Sequence, residues 1–399
     1  MNRRLAVVLG IRPDVIRASI ILDRLRSECD LKVIWSGQHY SENLKDVFFR
    51  QLQVPRPDIE LTTGAETDSE IVSSLISQLH PALEKLRPRA VIFLGDTNTV
   101  MGCLAAAQLN IPIVHIEGCM RSYDWRMPEE KYRTVVDHLS DVIYAYLDEY
   151  KEQGIAEGLN PQNIVVTGNP IVDVLDKYYH RRKDQYARMA NEEFFANRHI
   201  KKDKYYLMTC HRRENVDDQE SLRNTIELVG KAGRTVYFVA SYRTQKMMKA
   251  NAIEAPSNVI VTDPIGYEEF LVLLTNSRGV LSDSGTVVEE ACILQVPAVQ
   301  MRRSTERPQV YEVGACVKFD PTTSERHQHE RVFAKLEALR GRTWRNPFGD
   351  GQSSERIAED ILQRLEEDQL CRHDPSDYHL DIRRQFRGDD LEKLLRGEL

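Results

Sequence analysis

The sequence predicts an α/β protein with two Rossmann-like, doubly wound parallel-sheet domains that face each other across a cleft. Short, continuous aliphatic or β-branched runs alternate with helical stretches along the first half. Such runs are typical of parallel strands whose two faces are both covered by helices. The alternation stops at a charged segment, Lys177–Lys204, and then starts again. A chain of 399 residues is also long enough for two hydrophobic cores.

The strand-like runs give the order of elements. The first unit contains Leu5–Gly10, Leu31–Gly37, Ala90–Asp96, Pro112–Gly118, Asp141–Tyr146 and Asn163–Asn169. The second contains Tyr205–Cys210, Thr235–Ser241, Asn258–Asp263, Gly279–Leu281, Pro297–Met301 and Cys316–Phe319. We therefore expect domains at residues 1–168 and 169–352. Residues 353–399 should supply a C-terminal helix that crosses back to the first domain, followed by a charged tail.

Composition excludes several classes of function. The net charge of -7 argues against a protein that binds nucleic acid mainly by electrostatics. No stretch approaches the roughly 20 apolar residues needed to cross a bilayer. The seven cysteines form no C-x-x-C pair, which fits reduced thiols in the cytoplasm and offers no zinc site. The glycine signatures of dinucleotide-binding domains and P-loops are also absent.

An anion site is predicted in the stretch Gly279–Ala291, GVLSDSGTVVEEA. A short strand enters a tight turn that opens a helix, so unpaired backbone N–H groups and the helix dipole point towards one place. Gly285 lets the backbone approach a ligand closely, and Ser284 adds a hydroxyl donor. Phosphate is the expected ligand, although the same pattern also fits an ordinary capped helix.

Acid–base residues are predicted where strands end, because ligands of open parallel sheets bind outside the carboxyl ends of the strands. Asp96, Glu117 and Glu129 follow strands of the first unit, and His211 follows the first strand of the second. Carboxylates and an imidazole with shifted pKa values suit proton transfer at carbon or at a sugar hydroxyl. Nearby arginines would hold a diphosphate across the gap.

Each of these residues also has a purely structural interpretation. Asp96 fits a helix cap, and Glu117 fits an ion pair with Arg121. Glu129 fits an acidic residue in the first turn of a helix, and His211 fits a hydrogen-bonded core histidine.

Eleven segments, taken together, resemble the UDP-N-acetylglucosamine 2-epimerase family. They run in the same order over roughly residues 5 to 363. In the first unit they are GIRPDVIR (Gly10–Arg17), GQHY (Gly37–Tyr40), GDTNT (Gly95–Thr99), HIEG (His115–Gly118), RMPEE (Arg126–Glu130) and GN (Gly168–Asn169). In the second they are HRREN (His211–Asn215), PIGY (Pro264–Tyr267), SDSGTVVEE (Ser282–Glu290), TERP (Thr305–Pro308) and NPFGDGQ (Asn346–Gln352).

The resemblance implies a GT-B-type fold, a homodimer, and interconversion of UDP-GlcNAc and UDP-ManNAc without a metal or a nicotinamide cofactor. In the family the C2 proton is removed, UDP leaves, and UDP adds back to a 2-acetamidoglucal with C2 inverted. The implied catalytic residues are Asp96, Glu117, Glu129 and His211. The implied substrate-binding residues are Arg12, Arg17, Arg133, Phe270, Ser284, Gly285, Thr286, Glu290 and Arg307, with Glu290 at the ribose and Phe270 beside the base.

The sequence departs from the family around the sugar. Tyr132 replaces an Asn of the P-E-E-x-N-R motif, and Thr286 replaces a second Gly. The stretch Ser241–Thr244 replaces H-x-N-P. Loss of one buried hydrogen-bond partner costs about 1–3 kcal/mol for the original ligand. A modified UDP-linked N-acetylhexosamine is therefore an open alternative substrate.

Regulation is a second departure. Bacterial non-hydrolysing members bind a second UDP-GlcNAc through a Gln and an Arg-Gln pair. This sequence has Lys45-Asp46 and Thr67-Asp68 in the corresponding stretches. We expect no activation by substrate, and a sigmoidal dependence of turnover on UDP-GlcNAc would contradict this.

Three other functions remain open at this point. The first is the hydrolysing form of the same chemistry, which releases UDP and a free N-acetylmannosamine-type sugar. The second is a glycosyltransferase of the same fold, and the third is a non-catalytic nucleotide-sugar binder.

Overall fold

The computed structural model describes residues 3–37, 49, 52, 54–64, 67–323 and 328–372. The stretch Lys45-Asp46 and the charged tail lie outside these residues.

The N-terminal domain is built on a seven-stranded parallel sheet of order β3-β2-β1-β4-β5-β6-β7. Its strands are β1 Arg4–Leu9, β2 Asp30–Trp35, β3 Ile59–Glu60, β4 Ala90–Leu94, β5 Ile113–Ile116, β6 Val142–Ala145 and β7 Ile164–Val166. Val7 of β1 pairs with Val33 of β2 on one side and with Ile92 of β4 on the other. The order reverses between β1 and β4, as in Rossmann domains.

The C-terminal domain repeats the plan with six parallel strands in the order β10-β9-β8-β11-β12-β13. Its strands are β8 Tyr205–Cys210, β9 Thr235–Ala240, β10 Val259–Thr262, β11 Val280–Ser282, β12 Ala298–Met301 and β13 Cys316–Phe319. The prediction of two doubly wound parallel sheets is confirmed.

Helices connect the strands in both domains. Those from β1 to β8 are α1 Arg12–Glu28, α2 Asp68–Leu86, α3 Cys103–Gln108, α4 Pro128–Leu139, α5 Asp148–Ala156, α6 Pro170–Tyr178, α7 Lys183–Met189 and α8 Glu192–Ala196. Those after β8 are α9 Arg213–Val216, α10 Gln219–Gly230, α11 Tyr242–Ala250, α12 Tyr267–Thr275, α13 Gly285–Ile293, α14 Gln309–Glu312, α15 Gln328–Leu339 and α16 Ser353–Glu366. Short 3-10 helices occur at Asn98–Gly102, Pro161–Asn163 and His180–Arg182.

The continuous apolar runs reflect burial on both faces of each sheet. Successive side chains of a strand point to opposite faces. In β1, Leu5, Val7 and Leu9 accordingly join one core cluster, while Ala6 and Val8 join another. No face of this strand is left for water, so the sequence shows no polar alternation there.

Helix α16 packs on the N-terminal domain although it follows the second sheet. Ile357, Ile361 and Leu365 belong to the same core cluster as Ile21 of α1. Two polar contacts fix the helix: Arg24 Nε donates to Glu355 Oε1 at 2.9 Å, and Tyr144 OH donates to Asp360 Oδ2 at 2.7 Å. The chain therefore ends its described part on the domain where it began.

No helix in the described ranges is both long and apolar enough to cross a membrane.

Candidate active site

The predicted site residues lie at the facing sheet edges, near the two points where strand order reverses. Arg12 follows β1, and Asp96 follows β4, while Glu117 follows the neighbouring β5. In the other domain, His211 follows β8 and Ser284 follows β11. The carboxyl ends of parallel strands share one edge, so these residues come together from distant parts of the chain.

Glu117 lies between the two domains. Its carboxylate forms ion pairs with Arg17 from the N-terminal domain and, at 2.8 Å, with Arg307 Nη2 from the C-terminal domain. The residue is only 6% exposed and has a φ of 78°. Backbone strain of this kind is concentrated at functional sites. The surrounding contacts hold Glu117 in a conformation that a free chain would avoid.

Asp14 organises the turn under Glu117. Its Oδ2 accepts hydrogen bonds from the backbone N–H groups of Gly10 and Ile11, both at 3.1 Å. Burial raises the pKa of Asp14 to about 6, although Arg17 opposes this. Gly95 has a φ of 80°, and a Cβ there would lie 3.2 Å from Arg17 Nη2. Sequence reasoning did not select Asp14, although it is part of the GIRPD segment.

Arg307 lies on the first residue of α13. A Cβ at Gly285 would sit 2.5 Å from Arg307 Nη1, so a larger residue there would require the guanidinium to shift from its ion pairs. Arg307 Nε donates to Glu289 Oε1 at 2.6 Å, and its Nη1 donates to Glu306. Gly285 and Arg307, both predicted to bind the substrate, thus lie next to each other.

Ser284 caps α13. Its Oγ accepts from the backbone N–H of Val287 at 3.5 Å, and its own N–H donates to Ser282 Oγ at 2.9 Å. Thr286 lies in the first turn of the helix and is partly exposed. The predicted sequence of strand, turn and helix is confirmed, while anion binding there stays a prediction.

Glu306 is a buried anion at the centre of a cluster of arginines, and sequence reasoning did not select it. Four arginines surround its buried carboxylate: Arg307, Arg302 at 2.9 Å, Arg212 at 3.6 Å and Arg133 at 3.9 Å. Burial alone would raise the pKa of Glu306, but Arg302 and Arg307 outweigh it and hold the pKa well below the usual value. Glu306 belongs to the TERP segment, but the sequence alone does not show which arginines it contacts.

Asp96 pairs with Arg133, which also contacts Glu130 Oε2 at 3.1 Å. Burial raises the pKa of Asp96, but Arg133 and Arg212 outweigh burial, so the pKa lies below its usual value. The helix-cap interpretation of Asp96 is wrong, because Thr97 is the N-cap of the following 3-10 helix.

Two adjacent acids at the start of α4 have different surroundings. Glu130 is buried and accepts the backbone N–H groups of Ser122 at 2.9 Å and Tyr123 at 2.7 Å. Glu129 is partly exposed in the cleft. Burial raises the pKa of Glu129, Arg212 opposes this, and Asp96 adds to it. Glu130 therefore holds a loop together, and Glu129 is the one that can meet a ligand.

His211 lies at the cleft edge of the C-terminal domain, next to Arg212, which is within electrostatic reach of Glu129 and Asp96. The His211 side chain is 48% exposed, so the core-histidine interpretation is wrong. Its Nδ1 lies 3.6 Å from Asp283 Oδ1, and the buried Asp283 also accepts the backbone N–H groups of His211 and Arg212, each at 2.9 Å. Desolvation in the cleft lowers the pKa of His211, Asp283 opposes this, and Arg212 adds to the lowering.

Arg12 begins α1 at the same edge. Burial lowers the pKa of its guanidinium, and Tyr242 of the opposite domain opposes this effect. Arg12 also lowers the pKa of His211, so the two residues lie close enough across the cleft to interact electrostatically.

Arg121 does not pair with Glu117. It donates instead to Asp137 Oδ2 at 2.7 Å and to Glu157 Oε2 at 2.6 Å. The interpretation of Glu117 as the partner of Arg121 is wrong, because Arg17 and Arg307 occupy its carboxylate.

Glu290 and Phe270 lie on neighbouring helices, α13 and α12. Glu290 is buried and accepts a hydrogen bond from Tyr267 OH at 2.8 Å. Burial raises the pKa of Glu290 to about 8. Phe270 follows Tyr267 by one turn and is partly exposed. The arrangement puts a carboxyl group and an aromatic ring on the same pair of helices.

A cavity of about 600 Å³ lies beside this site, between the start of α4 and helices α9 and α10. It is lined by Arg126, Pro128, Arg213, Glu214, Asp217, Asp218, Glu220, Ser221 and Thr322. The four predicted catalytic residues, all within the described ranges, do not line it.

Two Rossmann-like domains facing a cleft define an α/β protein of the GT-B type. The three predicted catalytic carboxylates lie on the N-terminal side of the cleft, and the N-terminus of α13 with Arg307 lies on the C-terminal side. The model of the UDP-N-acetylglucosamine 2-epimerase family matches residues 23–362. The chain belongs to this family, and the resemblance predicted from the motifs is confirmed.

Two relatives show the range of the family. The UDP-N-acetylglucosamine 2-epimerase of Methanocaldococcus jannaschii is 36% identical over 367 residues, covering 89% of this chain and 97% of the relative. The UDP-2,3-diacetamido-2,3-dideoxy-D-glucuronate 2-epimerase of Pseudomonas aeruginosa is 30% identical over 369 residues, covering 89% and 98%.

Solved structures agree. The M. jannaschii enzyme in complex with UDP-GlcNAc and UDP superimposes with a TM-score of 0.81 at 35% identity, covering 90% of this chain and 99% of that one. The Neisseria meningitidis UDP-GlcNAc 2-epimerase bound to UDP-GlcNAc gives 0.78 at 27% identity, covering 90% and 100%.

Proposed function

We propose that the protein interconverts UDP-GlcNAc and UDP-ManNAc. The observation that carries the proposal is the arrangement across the cleft. Glu117 pairs with Arg307 of the C-terminal domain, and Asp96 and Glu129 lie within electrostatic reach of Arg212 from the same domain. The relatives that share this fold are named for UDP-sugar 2-epimerisation. The predicted catalytic and binding roles of these residues remain proposals.

The chemistry needs two proton-transfer groups. A base takes the C2 proton, the electron pair forms a C1=C2 double bond, and the C1–O bond breaks with its electrons going to the β-phosphate oxygen of UDP. In the return step UDP adds to C1 and a proton arrives at C2 on the opposite face. Because the proton leaves one face and returns to the other, one group alone is insufficient.

The surroundings of Asp96 and Glu129 shift the pKa values of the two carboxyl groups in opposite directions. The pKa of Asp96 is lowered despite burial, because Arg133 and Arg212 outweigh it, and the pKa of Glu129 is raised by burial. Environments that push two pKa values apart separate the base from the acid. Asp96 then serves as the ionised base and Glu129 as the group that more readily holds a proton.

UDP lies on the C-terminal side of the cleft in this proposal. The N-terminus of α13, with Ser284, Gly285 and Thr286, and the guanidinium of Arg307 meet the diphosphate. Arg12, Arg17 and Arg133 bring further positive charge from the N-terminal side. Glu290 accepts the ribose hydroxyls, and Phe270 lies beside the base. These contacts stabilise the charge that develops on UDP when the C1–O bond breaks.

A modified UDP-linked N-acetylhexosamine is the second candidate substrate. The P. aeruginosa relative, 30% identical, is named for a diacetamido-glucuronate sugar. Tyr132, in place of the family's Asn, lies in the same cleft: Glu129 and Asp68 both raise its pKa, after burial, which is the largest cause. A bulky phenol there changes the shape of the sugar site.

The oligomeric state, the pathway and the compartment are inferred from the family. We propose a homodimer that makes a precursor of surface polysaccharide in the cytoplasm. The cysteines of the described ranges are all free, which agrees with a reducing compartment.

Product analysis tests the proposal. Purified protein incubated with UDP-GlcNAc should yield UDP-ManNAc on separation of the nucleotide sugars. Release of free N-acetylmannosamine and UDP would instead establish the hydrolysing form. If UDP-GlcNAc stays unchanged, a panel of UDP- and GDP-sugars tested for thermal stabilisation of the protein identifies the substrate, since a ligand of the native state raises its stability.

A further inference from the structure

An ion pair outside the predicted catalytic and binding residues joins the two domains. Asp68 is the first residue of α2 in the N-terminal domain, and Arg213 is the first residue of α9 in the C-terminal domain. Their side chains form an ion pair, with Asp68 22% and Arg213 40% exposed. The two residues are 145 positions apart, so the contact depends on how the domains meet.

The N-terminal domain holds Asp68 in place. Thr67 and Glu70 form a capping box: Glu70 N donates to Thr67 Oγ1 at 3.3 Å, and Thr67 N donates to Glu70 Oε2 at 3.0 Å. Asn98 Nδ2 donates to Asp68 Oδ1 at 3.0 Å. Asn98 is two residues after Asp96, so Asp68 is tied to the same strand end as the proposed base.

In the C-terminal domain, hydrogen bonds to Asp283 fix the turn that carries both His211 and Arg213. The backbone N–H groups of His211 and Arg212 both donate to Asp283, which is fully buried. The turn from β8 into α9 is therefore fixed to its own domain by Asp283 and to the opposite domain by Asp68.

We propose that Asp68 is a positioning residue for the reaction, acting through Arg213 to fix the turn that carries His211 and Arg212 relative to Asp96 and Glu129 of the other domain. The proposal rests on the proposed function for its effect on turnover. Its effect on the separation of the two domains is independent of any substrate.

The expected effect is moderate. Both side chains are partly exposed, and ion pairs of that kind shift an equilibrium by about fivefold or less. Removing the pair should therefore raise the fraction of open molecules and lower kcat by up to about fivefold. The affinity for UDP alone should change less, because neither Asp68 nor Arg213 is among the proposed UDP contacts.

The experiment is a double-mutant cycle with Asp68→Asn, Arg213→Gln and the double variant. Small-angle scattering without ligand measures domain opening, and steady-state kinetics measures turnover. Each single variant should open the cleft and lower kcat, and the double variant should be no worse than either single. Asp217→Asn is the matched control, since Asp217 pairs with Arg243 within the C-terminal domain at similar exposure, 37% and 46%.

The proposal is overturned if both single variants match the wild type in either scattering or kcat. It is also overturned if the double variant loses the product of the two single effects, because the residues then act independently. A wild-type protein that leaves UDP-GlcNAc unchanged contradicts the proposed function, while the scattering results still decide whether the pair links the domains.

Discussion

Two regions of the cleft, each with residues from both domains, differ in how their charged groups are arranged. Around Glu117 and Arg307 the groups are buried and ion-paired, and the Glu117–Arg307 pair joins the two domains. Around Glu129 and His211 they are partly exposed, and His211 reaches its acidic neighbour Asp283 only at 3.6 Å. The first arrangement fixes a geometry, whereas the second leaves side chains available for proton transfer.

This difference explains how one cleft combines rigidity with reactivity. Buried charges require partners, because an unpaired charge costs several kcal/mol in a protein interior. The arginines near the proposed diphosphate site therefore carry resident carboxylates: Glu117, Glu289 and Glu306. A ligand meets an arginine set that is already oriented, and less ordering remains to be done on binding.

The largest effect is expected for Glu117→Gln, in the buried region around Glu117 and Arg307. The substitution leaves Arg17 and Arg307 with a neutral neighbour, so the free energy of unfolding should fall by about 3 kcal/mol. Turnover should fall by at least about 100-fold. Denaturant unfolding and initial rates measure the two effects. Glu129→Gln is the control, which should lose activity with little change in stability, and equal destabilisation of both variants would contradict the contrast.

Asp96→Asn should lower kcat by at least about 100-fold as well, the usual scale for a general base. Its stability should change less than that of Glu117→Gln, because Arg133 still has an ion-pair partner in Glu130, whose Oε2 lies 3.1 Å from Arg133 Nη1. Steady-state kinetics together with thermal unfolding checks this. Near-normal turnover in a folded variant would remove Asp96 from the catalytic set.

Glu290→Ala should weaken UDP binding and leave the proton-transfer groups in place. Loss of the ribose acceptor costs about 1–3 kcal/mol, or roughly 5- to 150-fold in affinity. Titration calorimetry with UDP measures the change, with Glu268→Ala on the surface of α12 as a comparison. An unchanged dissociation constant would refute the ribose role of Glu290.

Glu290 should also make stability depend on pH. Burial raises its pKa from 4.5 to about 8, so the folded state binds a proton that the unfolded state has released. This contribution to stability is complete below about pH 4.5 and is lost as pH rises through about 8. The loss should be about 1.4 kcal/mol per pH unit at most. Denaturant midpoints at pH 6, 7 and 8 should fall more steeply in the wild type than in Glu290→Gln, and parallel curves would contradict it.

Much of the fold could be predicted because the strands are buried on both faces. The run Leu5–Leu9 is apolar throughout since it packs into two core clusters. The positions of Asp96, Glu117 and His211 at strand ends follow from the same reasoning, since strand ends of a parallel sheet share an edge.

The partners of these residues could not be predicted. Glu306 and Asp283 are buried acids whose importance comes from contacts with residues far away in the chain, such as Arg133 and Arg212 at Glu306. The pairing of Arg121 with Asp137 instead of Glu117 likewise depends on how α4 packs against the loop after β5. Sequence spacing indicates the strand end at which a residue lies, but the direction of its side chain depends on tertiary packing.

The most direct test of the account is proton NMR of the protein with UDP-GlcNAc in D2O. Removal and return of the C2 proton predicts loss of the C2 proton signal of the recovered nucleotide sugar together with a new anomeric signal of UDP-ManNAc. Formation of UDP-ManNAc with the C2 proton fully retained would contradict proton transfer at C2, and with it the roles proposed for Asp96 and Glu129.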